Sequence, residues 1–443
     1  MTLPPAVPTS TDPPPDIRCP LAGAHFAADP ATAYTSLRDG GLGAAVTAAG
    51  LPVTVVTGRA AVMAVLDNEG RFPADPMDTQ PWVHRYPLPA PARRWRADVR
   101  HTSGAHHERL RRAIHDALTG VDQFALAAAA ETRAAELISG FPADGADLVL
   151  RYAFPLVIDI FAPMIGLPGA GEPGSEARAR LENELWMLRG AESTEPAHQG
   201  LVDIALEVVA ERRGAPRRPD VLSRLLDHPA VLTDIEVAHQ VAMLYSTGAA
   251  AVVDLIAGTL LQILGYDRAD LGERVFSGSL LPQDAAEYTL RTHPPVAIAG
   301  PRWPTGEHFL HTTAGADLIR VPAWYPVLAS LAAANTDPGP PAITVTGDED
   351  PSAAVPALPR DEDPLDRRDH LGWGAGVHAC PVPARDLAMI LAAAAVTQLQ
   401  DLGPSDIALA VRPSQVLWVA DPARCTLASL PVTFPPRSAP RAC

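Results

Sequence analysis

The sequence predicts a mainly α-helical fold with small β-sheet regions, and three observations support this. A helical period of apolar residues dominates from about Ala105 to Gln262. The stretch from Val237 to Leu264 is almost continuously apolar. Strands and helices do not alternate regularly, which excludes a dinucleotide-binding architecture. Hydrophobic residues make up 47% of the 443 residues, which is enough for the core of one large domain.

In the amino-terminal half, the elements follow from local patterns. Residues 1–16 are rich in Pro, Ser and Thr and predict a disordered tail. The segment from Ala44 to Gly58 predicts a hairpin that turns near Gly50. Helices are predicted for "ERLRRAIHDAL", "LAAAAETRAAELI", "EARARLENELWMLRG" and the long apolar stretch.

The long apolar stretch raises the question of a membrane span. A spanning helix needs about 20 predominantly apolar residues. This one carries His239, Gln240, Ser246 and Asp254, so we predict a helix buried inside a large domain.

In the carboxyl-terminal half, helix gives way to mixed structure. Residues Pro294 to Pro322 predict strands and turns, and the proline- and acid-rich stretch Pro338 to Pro364 predicts an irregular meander. Leu387 to Gly403 predicts a helix with a glycine at its end. The segment "LWVADPARCTLASLPVTF" predicts β-structure. We expect a single domain over residues 17–436 and a flexible tail over 437–443.

Charge and cysteine content exclude several classes of protein. Lys and Arg number 35 against 51 Asp and Glu, a net charge of −16, which argues against partners such as nucleic acid or an anionic membrane. The four cysteines are scattered, so no disulfide framework is expected. The first residues carry neither a basic region nor an apolar core of a signal peptide, and we expect a cytoplasmic location.

One cysteine, Cys380, stands in the segment "LGWGAGVHACPVPARDLA" at the start of a predicted helix. It is either a small buried filler or a thiolate held for a metal. A helix amino terminus favours a thiolate, and the glycines of this segment let the backbone pass close to a flat ligand. Because no second cysteine lies nearby, zinc and iron–sulfur sites are not expected. A single axial thiolate on a haem iron fits these features.

The same segment carries a family resemblance. "WGAGVHAC" resembles the haem-ligand loop of the cytochrome P450 superfamily, with Trp373 in place of the usual phenylalanine and His378 at the basic position. The resemblance implies a cytochrome P450 fold and bound haem b with its iron. It also implies that Cys380 is the metal ligand and catalytic residue and that Gly374 contacts the cofactor.

Further segments resemble the family in the expected order. "HHERLRRAI" resembles the helix whose histidine and arginine hold the haem propionates, here His107 and Arg111. "GPRW" resembles the strand whose arginine, here Arg302, reaches a propionate, and His378 joins this set. "LRTHPPV" and "AAANTDP" resemble the segments that lead into the meander.

The sequence departs from the family at three places. The glutamate of the family's Glu-x-x-Arg pair falls on Tyr288, and we predict that Glu287 takes its place as the partner of Arg291. Ala250 and Ala251 stand where the family has an acid and an alcohol on the long helix. Val382 replaces a glycine two residues after the cysteine and is expected to close off space beside the sulfur.

The resemblance implies a haem-thiolate oxidoreductase, most simply a monooxygenase. It would oxidise a small organic substrate with electrons from a ferredoxin and its reductase. Two alternatives stay open: a haem-binding sensor or scaffold with little turnover, and peroxide-driven or other non-oxygenase haem chemistry. "ACPVPARDLA" and the carboxyl-terminal segment resemble haem-thiolate proteins of actinobacterial conservons, which would add signalling proteins as partners.

Two surface features bear on partners and substrate. "RRWRADVR" and "ERLRR" form a basic run in an acidic protein, which is either a docking face for an acidic ferredoxin or an ordinary solvated patch. The segment "YPLPAPARRW" and the region around Met187 are expected to line the substrate pocket.

Overall fold

The structure is a computed structural model. It describes residues 32, 45–46, 52–75, 96–167, 176–190, 194–265, 269–311, 318–322, 326–337, 368–419, 421 and 423–434. The predicted tails, the Pro338 to Pro364 meander and the segment "YPLPAPARRW" lie outside these residues, as do Cys19 and Cys443.

Helices form most of the described fold, as the sequence predicted. In chain order they are α1 (Arg59–Leu66), α2 (Gly104–Thr119), α3 (Gln123–Ser139), α4 (Phe154–Ile165), α5 (Glu176–Arg189), α6 (Thr194–Arg213), α7 (Val221–Leu226), α8 (Asp234–Met243), α9 (Ala250–Leu264), α10 (Ala269–Phe276), α11 (Pro282–Thr292), α12 (Leu331–Asn335) and α13 (Val382–Gln400). Single π-turns, Val149–Ala153 and Leu244–Ala249, precede α4 and α9, and a 3₁₀ turn covers Pro413–Gln415.

Local chemistry sets several helix starts. The Asp122 side chain accepts hydrogen bonds from the backbone N–H groups of Phe124 and Ala125, at the start of α3. Thr233 and Glu236 form a reciprocal capping box at the start of α8. Such caps satisfy N–H groups that have no partner inside the helix.

The predicted long helix is confirmed as one continuous rod from Asp234 to Leu264, with the π-turn at its centre. This rod and α13 are both long and apolar enough to cross a membrane by length and composition. Most of each apolar window is instead buried inside the fold. The polar residues that argued against a membrane span are explained by this burial within protein.

The strands make three small sheets. They are β1 (Ala45–Val46), β2 (Pro52–Val56), β3 (Ala146–Asp147), β4 (Ile298–Arg302), β5 (His308–His311), β6 (Leu318–Val321), β7 (Val327–Ser330), β8 (Ala408–Leu409) and β9 (Pro431–Thr433). The sheet orders are β1-β2-β7-β4, β3-β9-β8 and β5-β6. The two strands of the predicted hairpin pair antiparallel, with Ala45 opposite Val53 and Val46 opposite Pro52, and the predicted turn near Gly50 lies outside the described residues.

Helix α13 lies at the centre of the helical layer and positions the candidate site. It packs against α3, α9 and α11, and its buried face is mostly leucine and alanine. Small side chains let neighbouring helices approach closely. Its first residue is Val382 and its amino-terminal cap is Pro381, so Cys380 precedes the first turn rather than lying within it. Its last residue is Gln400, before the predicted glycine cap at Gly403.

Candidate active site

The loop before α13 holds Cys380 through its own backbone hydrogen bonds. The Cys380 N–H donates to the carbonyl of Trp373 at 2.8 Å, and the Ala379 N–H donates to that of Gly376 at 3.0 Å. Gly374 and Gly376 have φ values of 73° and 68°, a region that favours glycine. A Cβ at Gly376 would also collide with the Leu66 carbonyl. The glycines are therefore required by the turn and by its close approach to α1.

The sulfur of Cys380 is half-buried and has only one long contact, 3.9 Å to the Pro381 carbonyl. Without a bond from sulfur to a metal, burial raises the pKa of this thiol to about 11, although Arg385 and Arg111 oppose the rise. The prediction that Cys380 serves as a thiolate ligand stays a prediction. A bound metal would displace the thiol proton.

Two arginines secure the backbone around the sulfur. Arg111 Nη2 donates to the Ala379 carbonyl at 2.5 Å, and Arg385 Nε donates to the Cys380 carbonyl at 2.8 Å. The contact of Arg111 is thus with the cysteine loop itself. A guanidinium has five N–H donors, so the predicted contact of Arg111 with a propionate remains a prediction.

The other predicted cofactor-binding residues form a buried polar cluster. The rings of His107 and His378 lie 4.1 Å apart between centroids, and His378 Nε2 is 3.0 Å from Glu69 Oε1. His107 and Arg302 are buried, and burial lowers the pKa of His107 to about 4 and that of Arg302 to about 10. Glu69 was not identified from the sequence, because nothing in its local pattern marks it.

A β-bulge aims Arg302 into this cluster. Between Ala299 and Arg302 the register of β4 against β7 shifts by one residue. Such a bulge bends a strand and redirects a side chain. Arg302, at the end of the strand, is consequently buried rather than solvent-facing.

Within the described residues, two atoms of this cluster lack hydrogen-bond partners: His107 Nε2 and Arg302 Nε, both buried. Buried polar atoms are nearly always satisfied, so each needs a partner. Two carboxylates of a haem would supply partners for both, and the sulfur of Cys380 would bind its iron. The residues present therefore fit the cofactor.

Comparisons with known proteins agree with this geometry. No family model matches the chain. The chain is 26% identical to cytochrome P450 monooxygenase PikC of Streptomyces venezuelae over 96% of both chains. It is 28% identical to 6-deoxyerythronolide B hydroxylase of Saccharopolyspora erythraea over 87% of this chain and 91% of that one. Among solved structures, myxobacterial cytochrome P450 CYP267B1 in complex with myristic acid has a TM-score of 0.75 at 25% identity, with 94% and 98% of the two chains covered.

These relatives are all cytochrome P450s, and they support the superfamily predicted from the sequence. The chain has the mainly α cytochrome P450 fold, and its cofactor is haem with its iron. Its activity class is that of a P450-type monooxygenase.

Replacing Arg302 is expected to weaken haem retention. A hydrogen bond to a charged group contributes roughly 1.5–3 kcal/mol, so Arg302→Ala should release haem roughly 10- to 150-fold faster. The rate of haem transfer to apomyoglobin measures this. Arg320→Ala is the matched control, because Arg320 is exposed and pairs with Glu307 on the β5-β6 hairpin. Equal transfer rates for the two variants would contradict the assignment.

At α11 the sequence departs from the cytochrome P450 pattern, and the structure shows how. The Cζ atom of Arg291 lies 5.1 Å from the centroid of the buried Tyr288 ring, a cation–π geometry. Glu287 Oε2 instead lies 2.6 Å from His370 Nε2. The predicted pairing of Glu287 with Arg291 is therefore corrected. The Tyr288 ring contacts Arg291, and the carboxylate of Glu287 contacts His370, the residue before the cysteine loop.

Asn335, at the end of α12, connects α11 to this loop. Its Nδ2 donates to the carbonyls of Leu290 and Arg291 at 3.1 and 3.0 Å. Its Oδ1 accepts from the Leu371 N–H at 2.7 Å. A single side chain thus satisfies three backbone groups, and the sequence marked it only through the family-like "AAANTDP".

The structure shows where Ala250 and Ala251 lie on the long helix. The π-turn Leu244–Ala249 ends where Ala250 is fully buried and Ala251 is half-buried. Thr247 precedes them, and its Oγ1 accepts a hydrogen bond from Arg100 Nη1 at 2.9 Å. Neither alanine can carry a proton.

Two smaller expectations stay predictions. Val382, expected to close off space beside the sulfur, is 60% exposed at the first position of α13. Met187, in the region expected to line the substrate pocket, is exposed on α5 next to the exposed Trp186.

Proposed function

We propose that this protein is a ferredoxin-dependent monooxygenase that oxidises a small organic molecule. The observation that carries the proposal is Cys380, whose half-buried sulfur has one long contact, 3.9 Å to the Pro381 carbonyl. A sulfur with so few contacts, near buried segments that carry arginine and histidine, is suited to bind a metal. When bound, haem supplies the iron at which dioxygen is activated, and a thiolate ligand favours cleavage of the O–O bond.

The surrounding residues hold and orient this cofactor. His107 and Arg302 would each place a buried, unsatisfied nitrogen against a propionate. His378 would take the same role, with Glu69 fixing its ring through the 3.0 Å contact. Arg111 and Arg385 hold the loop backbone and keep positive charge near the sulfur.

The electron donor in this proposal is a small acidic ferredoxin with its reductase. Most described arginines of the basic run are already engaged: Arg100 with Thr247, Arg109 with Glu236 and Arg111 with Ala379. Arg112 is exposed on the same helix and is available to a partner. Such a carrier system is consistent with a cytoplasmic location, which we include in the proposal.

The experiment is reduction and turnover with a reconstituted donor system. NADPH, ferredoxin reductase and ferredoxin are added to the haem-loaded protein under carbon monoxide, and a compound library is then screened for spectral shifts of the haem. Reduction followed by a substrate-dependent product supports the proposal. Reduction by dithionite but never by any ferredoxin pair contradicts the choice of donor.

A second candidate function follows from Ala250 and Ala251. General acid–base help contributes roughly 10²–10⁴-fold to such chemistry, and these residues cannot supply it. The alternative is therefore peroxide-driven haem chemistry, or a haem-binding sensor or scaffold that assembles with signalling proteins. Product formation with hydrogen peroxide alone favours the first of these. Full haem loading without turnover by either oxidant favours the second.

Restoring an alcohol on the long helix is expected to improve the use of electrons. Ala251→Thr should raise the ratio of product to NADPH consumed and lower the release of peroxide, because its hydroxyl can relay a proton. Ala251→Val is the matched control, since valine has the shape of threonine without the hydroxyl. A second variant adds Ala250→Asp to Ala251→Thr. If the unmodified protein already couples tightly, the substrate or ordered water delivers the proton instead.

A further inference from the structure

A second cluster of metal-binding side chains lies apart from the cysteine loop and shares no residue with it. It consists of Asp98, in the segment before α2, His198 on α6 and His239 on α8. One ligand atom of each lies within 4.8 Å of the others. Asp98 and His198 are buried, with 0% and 5% of their surfaces exposed.

Each of the three side chains keeps one buried atom without a hydrogen-bond partner in the described part of the chain. These atoms are Asp98 Oδ2, His198 Nε2 and His239 Nδ1. A buried polar atom without a hydrogen-bond partner is costly and demands an explanation. Such atoms on three separate elements, in side chains whose possible ligand atoms lie within 4.8 Å of one another, point to one shared partner.

The carboxylate is held in place by its neighbours. Asp98 Oδ1 accepts from His101 Nδ1 at 2.7 Å and from the N–H groups of Arg100 and His101. This leaves Oδ2 for another partner. Metal-binding carboxylates commonly have one oxygen fixed in this way by residues outside the ligand set.

Gln240, next to His239 on α8, fixes the backbone on both sides of Asp98. Its Nε2 donates to the Ala97 carbonyl at 2.8 Å, and its Oε1 accepts from the Val99 N–H at 3.2 Å. The carboxylate and the helix that carries His239 are thus fixed to each other, so the spacing of these two ligands is set by the fold.

Some of the groups in and around this cluster favour binding of a cation, and others oppose it. In its neutral form each imidazole offers a ring-nitrogen lone pair to a cation. Asp98 contributes one negative charge. The nearby Arg96 guanidinium carries a positive charge that opposes a cation.

We propose that Asp98, His198 and His239 bind a divalent first-row transition metal ion, with Zn²⁺ as the representative. Two imidazoles and one carboxylate form a common three-ligand set for such ions and leave further positions open for water or a polar group. Ligand atoms of a tetrahedral zinc site lie roughly 3.4 Å apart, so small rotations of the side chains would close the site. The ion would connect the segment before α2 to α6 and α8.

The test is metal binding by the haem-loaded protein. The chain, purified without a histidine tag and treated with a chelator, is titrated with Zn²⁺ against a chromophoric chelator, and its metal content is measured by mass spectrometry. We expect one tightly bound Zn²⁺ and a rise in melting temperature, both lost in His198→Ala and His239→Gln. His115→Ala is the matched control, because His115 is exposed on α2.

Two further variants separate a metal site from a structural histidine cluster. His101→Ala should weaken Zn²⁺ binding by roughly 10- to 100-fold, as loss of a supporting residue does. Arg96→Gln should tighten it by removing the opposing charge. The proposal would be overturned if the unmodified protein bound no Zn²⁺. It would also be overturned if the unmodified protein and His239→Gln had the same Zn²⁺ stoichiometry and the same melting temperature.

Discussion

Replacing Cys380 by alanine is expected to abolish the red-shifted Soret band of the reduced carbon monoxide complex and all monooxygenase turnover. The reason is that Cys380 presents a half-buried sulfur just before α13, while its backbone N–H donates to the Trp373 carbonyl and its own carbonyl accepts from Arg385 Nε. Without it the iron would lose its thiolate ligand. Difference spectra of the haem-reconstituted variant measure the loss.

Cys425→Ala is the control for this prediction. Cys425 is buried among apolar residues near the carboxyl terminus, where burial raises the pKa of its thiol to about 12. We expect this variant to keep the red-shifted band. If Cys380→Ala also kept it, the sulfur ligand would have to be another residue, and the assignment of the cysteine loop would be wrong.

The largest effect on stability is expected at Asp254, in the middle of α9. Its side chain is completely buried, and Arg189, Arg424 and Thr426 converge on it. Breaking a buried ion pair by removing one partner typically costs about 3–5 kcal/mol, because the remaining charges are left unpaired. Asp254→Ala should therefore lower the free energy of unfolding by about this amount, measured by urea denaturation.

An exposed ion pair provides the comparison. Arg180 and Glu207 contact each other at 3.1 Å, with 45% and 58% of their side chains exposed. Exposed pairs contribute roughly 0–1 kcal/mol, so Glu207→Ala should leave the denaturation midpoint nearly unchanged. Equal effects of Asp254→Ala and Glu207→Ala would show that the Asp254 cluster is solvated rather than buried.

Much of the helical architecture was predictable because the apolar period is local information. The hairpin at β1 and β2, the long helix around Gly248 and the helix after Cys380 all came from patterns within a few turns of chain. The positions of Cys380, His107 and Arg302 were also marked by short motifs. The residues that form each of these patterns or motifs lie close to one another in the sequence.

The contacts that complete the candidate site were not predictable in this way. Glu69 meets His378, and Glu287 meets His370, across 309 and 83 residues of chain. A helical pattern placed Glu287 on the same face as Arg291, but packing of the cysteine loop against α11 gave the carboxylate a different partner.

The sequence by itself determined the fold class, the cysteine loop and the loss of proton-carrying residues at Ala250 and Ala251. Only the tertiary structure decided the pKa of Cys380, because burial is a property of the whole fold and outweighs the opposing charges of Arg385 and Arg111. It alone also brought Asp98, His198 and His239 together, from three elements that no local pattern connects. Desolvation and long-range packing depend on all the surrounding atoms, whereas a sequence motif contains only residues that are neighbours along the chain.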